Sequence, residues 1–128
     1  DRQILEGSVA VLLLEIDDAD FYVEFAELNG VDDFEIARSV AQQARLKFGQ
    51  PAFLMACSNF ATDAEVLVRG IQEGAGREVS VFGGMAGDDF TFTEQFVFTN
   101  GRESNRGAVM VIFDGTRIEV NGMAISGW

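Results

Sequence analysis

The sequence predicts an α/β domain on a mixed sheet, in the order β-β-α-β-α-β followed by an antiparallel meander, with helices packed on the sheet. Three observations carry this. Two segments repeat their apolar residues at helical spacing, and short apolar runs flank them. Strand–helix–strand units of that kind require parallel crossovers within one sheet. Beyond residue 90 the apolar period becomes two and Asn-Gly and Asp-Gly turns intervene, the pattern of antiparallel strands. A length of 128 residues suits one domain, so residues 1–128 are read as a single unit.

Taken in order, "SVAVLLLEI" (residues 8–16) is apolar on both faces and reads as a strand covered on two sides. "DFYVEFAEL" alternates, with Phe21, Val23 and Phe25 on one face and Tyr22, Glu24 and Ala26 on the other. The acidic turn between the two predicts an antiparallel hairpin. Asp32 and Glu35 form a capping-box pattern, and Phe34, Ala37, Val40, Ala41, Ala44 and Phe48 then repeat along one helical stripe. Gly49 stops that helix and Pro51 prevents its continuation. "AFLMAC" (residues 52–57) is a short apolar strand, and Thr62 with Glu65 caps a second helix whose stripe is Ala64, Leu67, Val68 and Ile71. "VSVF" (residues 79–82) is the next strand. Phe90, Phe92, Phe96 and Phe98 share one face of an extended stretch and read as core. "AVMVIF" (residues 108–113) reads as a doubly buried strand, with "RIEVNGMAIS" pairing back on it after the Asp114-Gly115 turn.

Composition narrows the function. A net charge of −12 opposes nucleic acid and anionic lipid, and no apolar run approaches the about 18 residues of a membrane span. No direct membrane contact is therefore expected. Histidine is absent, which removes Ser-His-Asp and Cys-His catalysis and Cys/His zinc sites from this chain. The lone Cys57 excludes an internal disulfide, fits a reducing, cytoplasmic setting, and sits in an apolar strand where a structural thiol is expected. The chain opens on "DRQIL" and closes on "SGW", which reads as a piece cut from a longer protein.

The stretch with chemical content is "VFGGMAGDDF" (residues 81–90). A nucleotide fingerprint would need glycines opening a helix, and a P-loop would need Lys-Ser/Thr. Here Gly83, Gly84 and Gly87 lead into Asp88-Asp89 and an extended run, so a phosphate cradle does not fit. Asp88 and Asp89 offer oxygens to a hard metal, but neighbours on an extended chain point to opposite sides, and no metal or cofactor is expected. A tight structural corner is one reading. The other is a small-ligand site. The loops after residues 52–57 and 79–82 leave parallel strands at their carboxyl ends, where ligands of such sheets collect. Asn59 and Thr62 stand in the first, at a helix N-terminus suited to a carboxylate. Gly83, Gly84, Ala86, Gly87 and Asp88 stand in the second, whose carboxylates suit an ammonium. Together they fit a zwitterion such as an amino acid. Arg102 and Arg106, in the turn region before residue 108, read as solvated or, alternatively, as anion anchors.

The order of "GGMAGDD", a phenylalanine-rich strand ending "VFTNG", "RGAVMVIFDG" and "RIEVNGMAISGW" resembles the N-terminal half of the FIST domain, the F-box and intracellular signal transduction family. The Gly-Gly-x-Ala-Gly-Asp-Asp stretch and the final Gly-Trp are the most specific matches, and the likeness extends over most of the chain. A Gly-x-Ser-Thr-x-Gly-type stretch expected before the first strand is missing, and the C-terminal half would begin after Trp128. The resemblance implies a bacterial sensory input domain that binds a small ligand, amino acids being the usual proposal. Its implied partners are the C-terminal half of the same domain and an output module such as a histidine kinase, chemotaxis receptor or cyclic-dinucleotide enzyme. It also singles out Gly83, Gly84, Ala86, Gly87 and Asp88 as motif positions. Two alternatives to this non-enzymatic reading stand: an enzyme with Asp88 or Asp89 as general base, and a structural or dimerising module without a ligand.

Overall fold

The computed structural model describes residues 7–58, 62–87 and 93–123. It holds six strands and two helices among them: β1 (Phe21–Glu27), α1 (Asp33–Phe48), β2 (Pro51–Cys57), α2 (Ala64–Ala75), β3 (Ser80–Met85), β4 (Val97–Phe98), β5 (Glu103–Ser104) and β6 (Gly107–Asp114). A four-stranded mixed sheet has the order β1-β6-β2-β3, and β4 and β5 form a small antiparallel pair. β6 runs antiparallel to both neighbours, while β2 and β3 are parallel and joined through α2. β1 and β2 also point the same way, with β6 inserted between them.

The mixed α/β architecture is the one expected. The helices pack on one sheet face, where Phe53, Met55 and Cys57 of β2 and Ala108, Met110 and Ile112 of β6 meet Leu67 and Ile71 of α2 and Ala37, Ala41 and Ala44 of α1. Small residues let the helices approach closely. A Cβ at Gly70 would lie 2.5 Å from the Phe34 carbonyl oxygen, and one at Gly74 would lie 2.3 Å from that of Arg38. The opposite sheet face carries Phe21, Val23, Phe25, Val109, Val111, Leu54 and Phe82, by alternation from the paired registers. Val23 and Leu54 there remain 47% and 37% exposed. The β6 run read as doubly buried is therefore covered along the helix side, while on the opposite face Phe113 is buried and Val109 and Val111 are only half-buried.

Several local expectations are corrected. Residues 8–16 form no strand and no hairpin with β1; Val9, Val11, Leu12, Leu13 and Leu14 are exposed. The outer edge of β1 is unpaired among the described residues, because β1 pairs with β6 instead. Residues 118–123 do not pair back on β6. There Asp114 Oδ1 accepts from the Thr116 backbone N–H and hydroxyl, which, with nearby Arg117, holds its carboxyl below the ordinary aspartate range. Phe96 and Phe98 are exposed rather than core, Val97 being the buried residue between them; Phe90 and Phe92 lie outside the described residues.

Neither predicted capping box forms as written. Asp32 makes no cap bond at α1. The buried Asp33 instead accepts from the N–H groups of Asn29 and Gly30, and Glu35 turns to Arg38. At α2 the cap is Asp63, one residue after Thr62, accepting from the N–H groups of Glu65 and Val66. Gly49 ends α1 as expected, at φ 71°, with its N–H on the Arg45 carbonyl. No helix among the described residues is long and apolar enough to cross a membrane.

Candidate functional site

The parallel β2–β3 pair brings the two expected loop exits together. Their register sets Ala56 beside Gly84 and Cys57 beside Met85, and the Ala86 N–H donates to the Cys57 carbonyl at 2.7 Å. The exits of both loops therefore lie at one end of the sheet, at the carboxyl ends of both strands. Neighbouring segments close this end. Buried Ser58 donates its N–H to the Gly107 carbonyl at 2.9 Å and its Oγ accepts from the Gly107 N–H at 3.0 Å. The Leu28 N–H donates to the Arg106 carbonyl.

The glycines do not share one role. Gly83 and Gly84 belong to β3 rather than to a loop. Gly83 has φ 151°, and a Cβ on it would sit 1.8 Å from the Met55 carbonyl oxygen. Its missing side chain is thus demanded by the contact with β2. A Cβ on Gly84 or Gly87 would meet nothing within 4 Å, and both are exposed, so bare backbone faces open space there. Ala86 is half-buried between them. Asp88, Asp89 and Asn59 lie outside the described residues.

Thr62 is half-buried immediately before the α2 cap. The electrostatics of that helix end differ from the expectation. Asp63 already occupies the N–H groups of Glu65 and Val66, and Glu65 adds charge to the first turn. An anionic cap of this kind competes with a ligand carboxylate for the helix dipole. Burial pushes the Cys57 thiol above its ordinary value, which keeps it protonated and unreactive at neutral pH.

Of the residues that frame this end, the sequence singled out Arg102 and missed Glu27, Ser58 and Ser104. Ser104 Oγ donates to Glu27 Oε1, and its buried position ties β5 to the end of β1. Arg102 stands 4.5 Å over the Phe25 ring and 3.7 Å from Glu27 Oε2. Its cation is thus partnered by β1. A serine directly after an apolar strand was the one available signal for Ser58; nothing in sequence spacing links Glu27 to Ser104. Two clefts lie at the opposite end of the sheet. One of about 390 Å³ is lined by Arg45, Gly49, Pro51, Gly76, Arg77 and Val79 among others, and one of about 210 Å³ lies by Gln50, Ser80 and Gly115. Among the described residues no group of three or more His, Cys, Asp or Glu is arranged to hold a metal.

These features define a mixed α/β domain with helices on one sheet face and an open glycine-bearing corner where two parallel strands end. The chain belongs to the FIST family: the family model for the FIST N domain matches residues 1–128, and this is a signal-transduction-associated domain. No curated protein and no solved structure matches the chain.

Proposed function

We propose that this FIST N domain is a non-catalytic, cytoplasmic sensory input module that binds a small cationic or zwitterionic ligand, an amino acid being the first candidate. The observation that carries the reading is the alignment of the β2 and β3 exits, with open backbone at Gly84 and Gly87. The ligand-contacting set is Gly84, Ala86, Gly87 and Asp88 on one loop and Asn59 and Thr62 on the other, with Gly83 shaping the strand beneath. A net charge of −12 favours an ammonium-bearing ligand. Asp88 supplies the counter-charge, whereas Asp63 weakens the pull of the α2 terminus on a ligand carboxylate. Occupancy biases two arrangements of the domain and its C-terminal half, and an output module such as a histidine kinase, chemotaxis receptor or cyclic-dinucleotide enzyme reads the bias.

Calorimetric titration with a panel of amino acids and simple amines tests this. Binding heat that Asp88→Asn reduces at least tenfold, with the melting curve unchanged, supports the reading. A folded protein that gives heat with none of them removes the amino-acid version. Turnover of any bound compound, abolished by Asp88→Asn, would favour a carboxylate enzyme instead.

A further inference from the structure

We propose that the chain pairs with a second copy of itself by strand exchange, residues 8–16 of each copy lying along the outer edge of the other's β1, which is unpaired among the described residues. The donor comes first. The segment is "SVAVLLLEI", with Glu15 its one charge, yet Val9, Val11, Leu12, Leu13 and Leu14 are 58–88% exposed. A solvated connector has no use for such a run. Its composition is that of a strand covered on both faces, and leaving it in water forfeits the largest favourable term in folding.

The acceptor lies in the same chain. β1 is the terminal strand of its sheet, so alternate residues direct N–H and C=O groups away from β6. Beside that edge, between β1 and α1, runs a groove of about 420 Å³ lined by Phe25, Ala26, Ile36 and Val40 with Glu24 and Glu35 among others. An added strand would gain backbone hydrogen bonds from β1 and place alternate side chains over this groove, the usual form of strand addition to an exposed edge. The donor has nine residues and β1 seven, so the whole edge is within its reach.

Exchange between copies is suggested by how the donor is attached and by its lack of pairing with its own β1. The Asp20 N–H donates to the Asp17 carbonyl, the Asp114 N–H to the Asp20 carbonyl, and Arg117 pairs with Asp20 at 2.8 Å. The last two tie the start of β1 to the end of β6, and the first closes a turn just before β1. Residues 8–16, just before them, make no ladder with their own β1. A donor that makes no ladder with its own β1 and an acceptor edge unpaired among the described residues are both satisfied when two copies exchange about a two-fold axis, since each contact then occurs twice. The net charge of −12 per chain opposes this approach, so pairing should tighten as salt screens it.

Light scattering across a concentration series, at low and high salt, tests the proposal. The expected particle has twice the mass of one chain, forms more readily at high salt, and is lost in a Val11→Asp/Leu13→Asp variant. Both positions are exposed, so the variant should keep the parent's circular dichroism and melt cooperatively at a temperature that no longer depends on protein concentration. The exchange geometry is tested in a Cys57→Ala background. Chains with cysteine at position 10, 12 or 14 are mixed with differently tagged Glu24→Cys chains and oxidised. A disulfide joining the two tags supports exchange. A single-chain mass at every concentration, a dimer that survives the double variant, or a dimer in which none of the three donor positions forms a disulfide with the Glu24→Cys chain would each overturn it.

Discussion

Gly83 and Gly84 are adjacent and chemically identical, yet the fold asks different things of them. Gly83→Ala forces a Cβ into the Met55 carbonyl at a φ that L residues rarely adopt, so it should cost roughly 3 kcal/mol in denaturant unfolding. Gly84→Ala meets open space and should stay within about 0.5 kcal/mol. If Gly84 faces a ligand, the second variant alone will lose binding while remaining folded. Cys57 gives a pH prediction. Burial raises its thiol pKa, so the folded state holds the proton more tightly than the unfolded chain. The resulting stability is complete below 9.0, the ordinary thiol value, and falls as pH climbs from there through the raised value. Tyr22, raised by burial and then by Glu24, adds a second loss beginning above 10.0. Urea midpoints measured from pH 7 to 10.5 should therefore drop at the alkaline end, and Cys57→Ala should remove the earlier part of the drop.

At the scale of elements, the helix ends and the helix contact decide stability. A literal capping-box pattern would make Asp32 the critical acid of α1. The structure assigns that work to Asp33, which is buried and receives two backbone N–H groups, while Asp32 receives only the exposed Asn29 amide. Asp33→Ala should cost about 2 kcal/mol and Asp32→Ala less than about 0.5 kcal/mol, with Asp63→Ala near 1 kcal/mol at α2. Thermal melts of the three variants check the ranking. Gly74 supplies a test in which propensity and packing disagree. Alanine is the better helix former by about 1 kcal/mol, yet its Cβ would strike the Arg38 carbonyl and lie 2.8 Å from Ala41 Cβ. Gly74→Ala should therefore destabilise by about 2 kcal/mol as the helices separate, and a stabilised variant would show the contact to be loose.

For the whole molecule, charge and topology dominate. With −12 on 128 residues, the folded state carries its self-repulsion in a smaller volume than the unfolded chain. Raising NaCl from 20 mM to 500 mM should add about 1 kcal/mol, near 4 °C in Tm, read by calorimetry on the Val11→Asp/Leu13→Asp variant so that association does not contribute. Sheet order then explains what the sequence could show of the site. The β2–α2–β3 unit was legible because its helix, its two apolar runs and its connections are local, and that unit alone places both loop exits together. The framing contacts between Glu27 and Ser104, or Ser58 and Gly107, were not legible, because they depend on β6 entering the sheet between β1 and β2.

Apolar periodicity and composition by themselves determined the mixed α/β class, both helical stripes, the strands around them and the exclusion of histidine chemistry, while the order of short motifs around residues 83–89 carried the resemblance to the FIST family. Those properties reside in short windows, where spacing translates directly into faces. Tertiary structure decided which strand neighbours which, and so which apolar runs obtain cover. Residues 8–16 have the pattern of a buried strand, but β6 took the one edge of β1 that is paired among the described residues and left the other without a partner. Hydrophobic pattern states that a segment needs a partner; backbone hydrogen bonding between distant segments selects which one it gets.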